Sequence, residues 1–141
     1  MTMSSLCRVA LPSCVLLLLA ASGCSRDVTL TDTAARQSPQ AKLAIDFLGA
    51  LRATDMETIG KLTTAELAAR IRQENEQPTE ETQELRDLMH RDLPADAAGL
   101  LGVITSVQTY RDRSVVFFET GSNTWFVQLT RVSGLWKVSA Y

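Results

Sequence analysis

Residues 103–141 read VITSVQTYRDRSVVFFETGSNTWFVQLTRVSGLWKVSAY, and this stretch decides the fold of the chain. It is rich in Val, Thr and aromatic residues, which favour β-strands. Turn-forming residues interrupt it at 111–113, 121–123 and 133–134. Breaks of this length are typical of hairpins. The sequence therefore predicts an antiparallel meander of four strands: Val103–Tyr110, Ser114–Thr120, Thr124–Val132 and Leu135–Tyr141.

The period-two pattern of these strands predicts which side chains share a face of the sheet. Trp125, Val127 and Leu129 alternate with more polar residues, which puts them on one face of the third strand. The second strand is different, because residues 115–118 are apolar on both faces. We expect that strand to be central, or covered on its second face.

Three helices are predicted before the strands. Ser38 and Pro39 have the pattern of a helix start, and an apolar stripe follows at i, i+3, i+4 and i+7 spacing. Thr54 and Glu57 have the spacing of a capping box that begins a second helix, and a third is expected from about Thr79 to Arg91. Gly99 and Gly102 are expected to mark the passage from helices to strands. Helices followed by strands predict an α+β domain over residues 38–141, with the N-terminal helices packed on a curved C-terminal antiparallel sheet of about four strands.

The N-terminus has the pattern of an export signal. Arg8 precedes an apolar run over residues 9–21, and small residues follow up to Cys24. A helix of that length reaches roughly 20 Å, which is too short for a hydrocarbon core of about 30 Å. We therefore expect residues 1–23 to be a removed signal peptide and residues 24–37, which are polar and rich in threonine, to be a flexible tether.

The residues Ala21-Ser22-Gly23-Cys24 resemble the lipobox of bacterial lipoproteins. That resemblance implies that the Cys24 thiol carries a diacylglycerol and that cleavage makes Cys24 the acylated first residue, anchored in a lipid bilayer. Cys7 and Cys14 would leave with the signal peptide, so no disulfide is expected. Ser25, by the same resemblance, favours the periplasmic face of an outer membrane over the inner membrane if the cell is Gram-negative.

Charge and composition argue against several kinds of partner. Without Arg8 the chain has 13 basic side chains against 16 acidic ones, and the basic residues do not cluster. Nucleic acid is therefore not an expected partner, and no polybasic patch adds to membrane binding. The single histidine and the absence of an Asp-rich loop argue against a metal site, and no phosphate or dinucleotide motif predicts a cofactor.

The closing phrase Trp125-Phe126-Val127-Gln128-Leu129 … Val132-Ser133-Gly134-Leu135-Trp136-Lys137-Val138, with the order of elements, resembles the nuclear transport factor 2-like, or cystatin-like, superfamily. The resemblance covers about residues 38–141 and implies a cone in which helices close a sheet over a pocket. Members of the superfamily include isomerases, dehydratases, ligand binders and interaction modules, so the fold by itself implies no function.

Candidate pocket residues come from the strands: Tyr110, Phe117, Trp125, Gln128 and Trp136. Alternation does not decide which sheet face forms the cavity, and core or cross-strand packing explains the two tryptophans more readily than a ligand platform does. Catalytic candidates are weaker. His90 lies in the acidic stretch from Glu74 to Asp92, which is interpreted as a solvated helix face. Asp46 has Lys42 at i−4 as a surface partner.

Three functional hypotheses remain. The favoured one is a non-enzymatic, lipid-anchored domain that binds a small apolar ligand or an envelope protein. The second is an isomerase- or dehydratase-like envelope enzyme with a buried carboxylate such as Asp46. The third is a structural or adaptor homodimer that forms through the open sheet face.

Overall fold

The computed structural model describes residues 27–141, so the predicted signal peptide and Cys24 lie outside the described residues. The chain is an α+β domain with helices followed by an antiparallel sheet, as the sequence predicts. Its elements are β1 (Val28–Thr31), α1 (Asp32–Arg36), α2 (Pro39–Ala53), α3 (Met56–Leu62), α4 (Ala65–Glu76), α5 (Glu80–Asp92), α6 (Ala97–Val103), β2 (Ile104–Tyr110), β3 (Arg113–Thr120), β4 (Asn123–Val132) and β5 (Leu135–Ala140).

The sheet is an open meander in which neighbours in sequence are neighbours in space. Its order is β1-β2-β3-β4-β5, and every pairing is antiparallel. The four predicted strands are confirmed, and β3 is the central strand, as its two apolar faces indicated. The β4–β5 turn takes two residues, Ser133 and Gly134, both in the left-handed region at φ 51° and 80°. That conformation suits a tight hairpin and is easy for glycine.

The first strand was not predicted, because residues 28–37 were expected to belong to a flexible tether. Instead β1 pairs with β2 from Val28 opposite Thr109 to Thr31 opposite Ser106. Leu30 packs against the core, and the Arg36 Nε in α1 donates to the Ile104 carbonyl at 3.3 Å. The strand has only four residues, so its alternation is too short to stand out. The partner that stabilises it lies far along the chain, where local composition gives no sign of it.

The core lies between α2 and the inner face of the sheet. The predicted apolar stripe of α2 is confirmed, because Ala44, Phe47, Leu48 and Leu51 are all buried. They meet side chains that alternate along the strands and share the inner face: Val107, Val116, Phe118, Val127, Leu129 and Val138. The Ser38 Oγ accepts from the Ala41 N–H at 3.1 Å, which confirms the predicted start of α2.

Two predictions about helix ends were wrong. Thr54 was expected to begin a helix, but it ends α2 in the left-handed conformation at φ 55°. The N-cap of α3 is Asp55, whose Oδ1 accepts from the Thr58 N–H at 3.1 Å. Gly99 and Gly102 were expected to mark a passage into strands, but both lie inside α6. By contrast, α5 begins after Thr79 with a capping box, one residue from the predicted boundary.

Within residues 27–141, no helix has the length and the apolar character that crossing a membrane would require.

Candidate functional site

A cleft of about 480 Å³ opens between α4, α5 and the beginning of β4. We call it the helix–edge cleft. It is lined by Arg70, Glu74, Thr82, Leu85, Arg86, Met89, Thr124, Trp125, Phe126 and Tyr141.

Most of the cleft wall is apolar. Met89 of α5 is buried, and Trp125 lies half-buried beside it on the inner face of β4. The exposed side chain of Leu85, at 50%, lies on the rim, and Phe126, whose side chain is on the outer face of β4, borders the cleft at the strand edge. A concave apolar wall with a few convergent polar groups is the usual form of a ligand site.

The polar end of the cleft is organised around the Glu74 carboxylate. Its Oε1 lies 3.3 Å from the Arg70 Nε, and its Oε2 lies 3.3 Å from the Arg86 Nη2. The Arg86 Nη1 also donates to the Asn75 Oδ1. Two guanidinium groups therefore face one carboxylate, which leaves this end of the cleft with a net positive charge.

Tyr141 joins the polar and apolar parts of the cleft. Its ring packs edge-to-face on Phe47 with centroids 5.3 Å apart, and the Arg70 guanidinium lies 5.5 Å from the ring centroid. Burial raises the pKa of the Tyr141 phenol, and the nearby Glu74 carboxylate raises it further. The phenol therefore remains a neutral hydroxyl, with its oxygen 3.5 Å from the Glu74 Oε2.

Two buried donors of the cleft residues have no hydrogen-bond partner among residues 27–141. They are the Arg86 Nε and the Trp125 Nε1. An unsatisfied buried donor costs about 1–3 kcal/mol, so native structures rarely keep two of them in one place without a reason.

Of the five predicted pocket residues, only Trp125 lines the cleft. Phe117 and Gln128 lie on the outer face of the sheet. Phe117 is opposite Phe126, and the Gln128 Nε2 donates to the Ser139 Oγ at 3.4 Å. The structure therefore does not bring these two into a common pocket with Trp125.

Tyr110 and Trp136 lie outside the cleft as well. Tyr110 is 52% exposed at the end of β2, with the Arg111 guanidinium 5.2 Å from its ring centroid. Trp136 is half-buried, and the Arg131 guanidinium lies 4.5 Å from its ring centroid. Each tryptophan thus has its own packing environment, and the two do not form a joint stacking platform.

Sequence reasoning missed Arg70, Glu74, Arg86 and Tyr141. The first two have an i, i+4 spacing that signals an ion pair. The acidic stretch that contains Glu74 and Arg86 was interpreted as a solvated helix face. Nothing in its local pattern reveals that the turn between α4 and α5 brings these two residues together.

The catalytic candidates do not form a site. Asp46 is not the buried carboxylate of the enzyme hypothesis, because its side chain is 46% exposed and its Oδ2 lies 2.6 Å from the Lys42 Nζ. Asp55 caps α3, and its hydrogen bonds with Thr58 lower its pKa. His90 is exposed near the end of α5, where partial burial and Arg52 lower its pKa. In the described part of the chain, no three His, Cys, Asp or Glu residues cluster as metal ligands.

Comparison with protein-family models, with curated proteins and with solved structures finds no match to this chain.

Proposed function

We propose that this chain is a lipid-anchored, non-enzymatic binding domain of the bacterial cell envelope, whose helix–edge cleft takes the apolar part of a small ligand or of an envelope protein. The observation that carries the proposal is the cleft itself, a concavity of about 480 Å³. Its wall is mostly apolar, and a polar cluster closes one end. The Glu74 carboxylate at that end is ion-paired with Arg70 and Arg86, which supports a binding role for the cluster.

The proposed membrane localisation of the domain rests on the lipobox resemblance at Cys24. Because β1 begins at Val28, only residues 25–27 separate the proposed anchor from the folded domain. A fully extended chain from Cys24 to Val28 spans at most about 14 Å. This is shorter than the ~20 Å expected of a flexible tether that reaches residue 37. The domain would therefore lie against the bilayer with β1 at the membrane side. In a Gram-negative cell, the resemblance at Ser25 favours the periplasmic face of the outer membrane.

Two measurements test the proposed membrane localisation. The mass of the N-terminal peptide should show a diacylglycerol on Cys24 in the wild type and none in Cys24→Ala. The Cys24→Ala protein should also leave the membrane fraction, because no other acyl anchor is proposed. A wild-type N-terminus without acyl mass would exclude the lipoprotein proposal.

The cleft is tested with a dye and a matched pair of leucine variants. The probe is 1-anilinonaphthalene-8-sulfonate, which has an apolar body and one anionic group. Leu85→Glu puts a charge on the cleft rim, whereas Leu135→Glu puts the same charge on an exposed leucine at the β4–β5 turn. We expect dye affinity to fall on the order of tenfold in Leu85→Glu alone, as for a lost apolar contact. Equal affinity in both variants would contradict the proposal.

The outer sheet face supports the homodimer as a second candidate. It carries Phe126, which is 46% exposed, opposite Phe117 on β3. Phe126 is exposed and Phe117 is half-buried, and such an aromatic pair on an open sheet is a surface that a second copy can cover. Light scattering coupled to size-exclusion chromatography tests this candidate. A monomer across the micromolar range would exclude it.

A further inference from the structure

The edge of β4 is open beside the helix–edge cleft. Strand β5 pairs with β4 only between Val132 and Gln128, where Ala140 is the last partner. Beyond that point Tyr141 packs on Phe47 of α2. Within the described residues 27–141, residues 123–127 of β4 therefore pair with β3 on one side and with no strand on the other.

The alternation of an antiparallel ladder determines which backbone groups face the open side. The β3–β4 turn takes two residues and pairs Asn123 with Thr120, so Asn123 bonds towards β3. Arg131 bonds towards the same side as Asn123, because its N–H donates at 2.8 Å to the Asp112 carbonyl at the β2–β3 turn. Odd-numbered residues of β4 thus bond towards β3. Even-numbered ones, Thr124 and Phe126, direct their N–H and C=O groups to the open side.

These four backbone groups face the cleft and have no hydrogen-bond partner elsewhere among residues 27–141. Thr124 and Phe126 both line the cleft, and Leu85 and Met89 of α5 line its other wall. The cleft is thus a slot between a helix and an open strand edge, in line with the end of β5. An added strand would take a position about 4.8 Å from β4.

We infer that the occupant of the helix–edge cleft is an extended segment of a partner protein, which adds to β4 as a further strand. This inference rests on the proposed function of the cleft as the binding site. A compact apolar ligand would cover the Thr124 and Phe126 backbone without pairing it, and each buried polar group left without a partner weakens binding. An extended backbone pairs all four groups, which is the chemistry of strand addition.

The side chains of the cleft describe the segment further. Strand side chains alternate between the two faces, so one apolar side chain of the segment would point inward beside Trp125 and Met89. Arg70 and Arg86 outnumber the single Glu74 carboxylate at the polar end, and the Arg70 side chain is half exposed. The complementary segment therefore has an acidic residue close to its inward apolar one.

The experiment uses the ¹⁵N-labelled chain with its anchor in detergent micelles and a phage-displayed library of random heptapeptides. The tightest binder is synthesised in two N-methylated forms, one methylated at the residues that bond to β4 and one shifted by a single residue. We expect the amides of Thr124 and Phe126 to exchange on the order of tenfold more slowly in the complex. The first methylated form should lose affinity on the order of tenfold, and the shifted form should keep it.

The outcomes separate the two proposals. Protection of both amides together with a register-dependent methylation effect would support strand addition. A bound peptide that leaves Thr124 and Phe126 unprotected, or no peptide binder while the dye still binds in a Leu85-dependent way, would overturn it and leave the proposed function standing. Absence of both dye and peptide binding would remove both.

Discussion

Glu74 and Arg86 join α4 to α5 through an ion pair of 3.3 Å, with both side chains only 20% exposed. The other ion pairs of residues 27–141 link residues four apart on one helix. This pair is therefore different in kind, because it fixes how two helices meet. It also forms the polar end of the helix–edge cleft, so the stability of the domain and the shape of the cleft depend on the same contact.

Replacing Glu74 by Gln should destabilise the domain by about 1–3 kcal/mol, because the half-buried Arg86 guanidinium loses its charged partner. The free energy of unfolding in urea measures the effect.

Glu57→Gln is the matched control. Its carboxylate pairs with Lys61 at 2.6 Å, but both side chains are largely exposed. Exposed pairs four apart on a helix contribute only about 0.3–0.5 kcal/mol. Equal losses in the two variants would mean that the pair between α4 and α5 contributes no more than a surface contact.

The free energy of unfolding should decrease in alkaline solution because the buried Tyr141 phenol titrates there. Burial and Glu74 raise the pKa of this phenol in the folded state, whereas an unfolded tyrosine titrates near 10. Above about pH 10 the unfolded chain therefore loses the proton first, so folding stability decreases as pH rises towards the folded pKa.

Absorbance at 295 nm measures this titration. The wild type should show a phenol component above pH 10 that is missing in Tyr141→Phe, and Tyr141→Phe should lose less stability over the same pH range. Identical alkaline stability in both proteins would contradict the burial of the hydroxyl.

The elements that could be predicted from the sequence are those with a clear local pattern of composition or hydrophobic period. The C-terminal strands are rich in β-formers and short turns connect them, so composition and turn spacing point to one topology, and the run of apolar residues 115–118 marks the central strand. The α2 stripe through Phe47 was equally clear. Strand β1 was not, because its four residues gain their stability from pairing with β2, about eighty positions away along the chain.

The cleft was predictable only in part. Trp125 was identified because an aromatic residue in a hairpin is a candidate contact in any sheet. Arg86 and Tyr141 reach the same place through the packing of α5 and the end of the chain past β5, and no spacing in the sequence encodes that meeting. The open edge of β4 has the same origin, since it depends on where β5 stops pairing.

Gly99 and Gly102 should respond in opposite ways to replacement by Ala. A Cβ at position 99 would lie 2.5 Å from the Pro94 Cβ, so α6 or its preceding loop must shift, at about 1–3 kcal/mol. A Cβ at position 102 meets nothing within 4 Å, and Ala favours a helix over Gly by up to about 1 kcal/mol. Thermal unfolding of the two variants should therefore shift to lower and to higher temperature respectively, and a gain in Gly99→Ala would contradict the packing of α6.

Residues 28–31 should contribute measurably to stability if they form β1, and not at all if they are a tether. Leu30 packs against the core, and all four residues pair with β2. Shortening the chain from residues 27–141 to residues 32–141 should therefore lower the free energy of unfolding by about 1–3 kcal/mol, the range for burying much of one leucine and losing a strand pairing. It should also lower the urea dependence, because less surface becomes exposed on unfolding. Equal unfolding midpoints would mean that the tether extends to residue 31, so that the domain could stand further from the membrane than β1 allows.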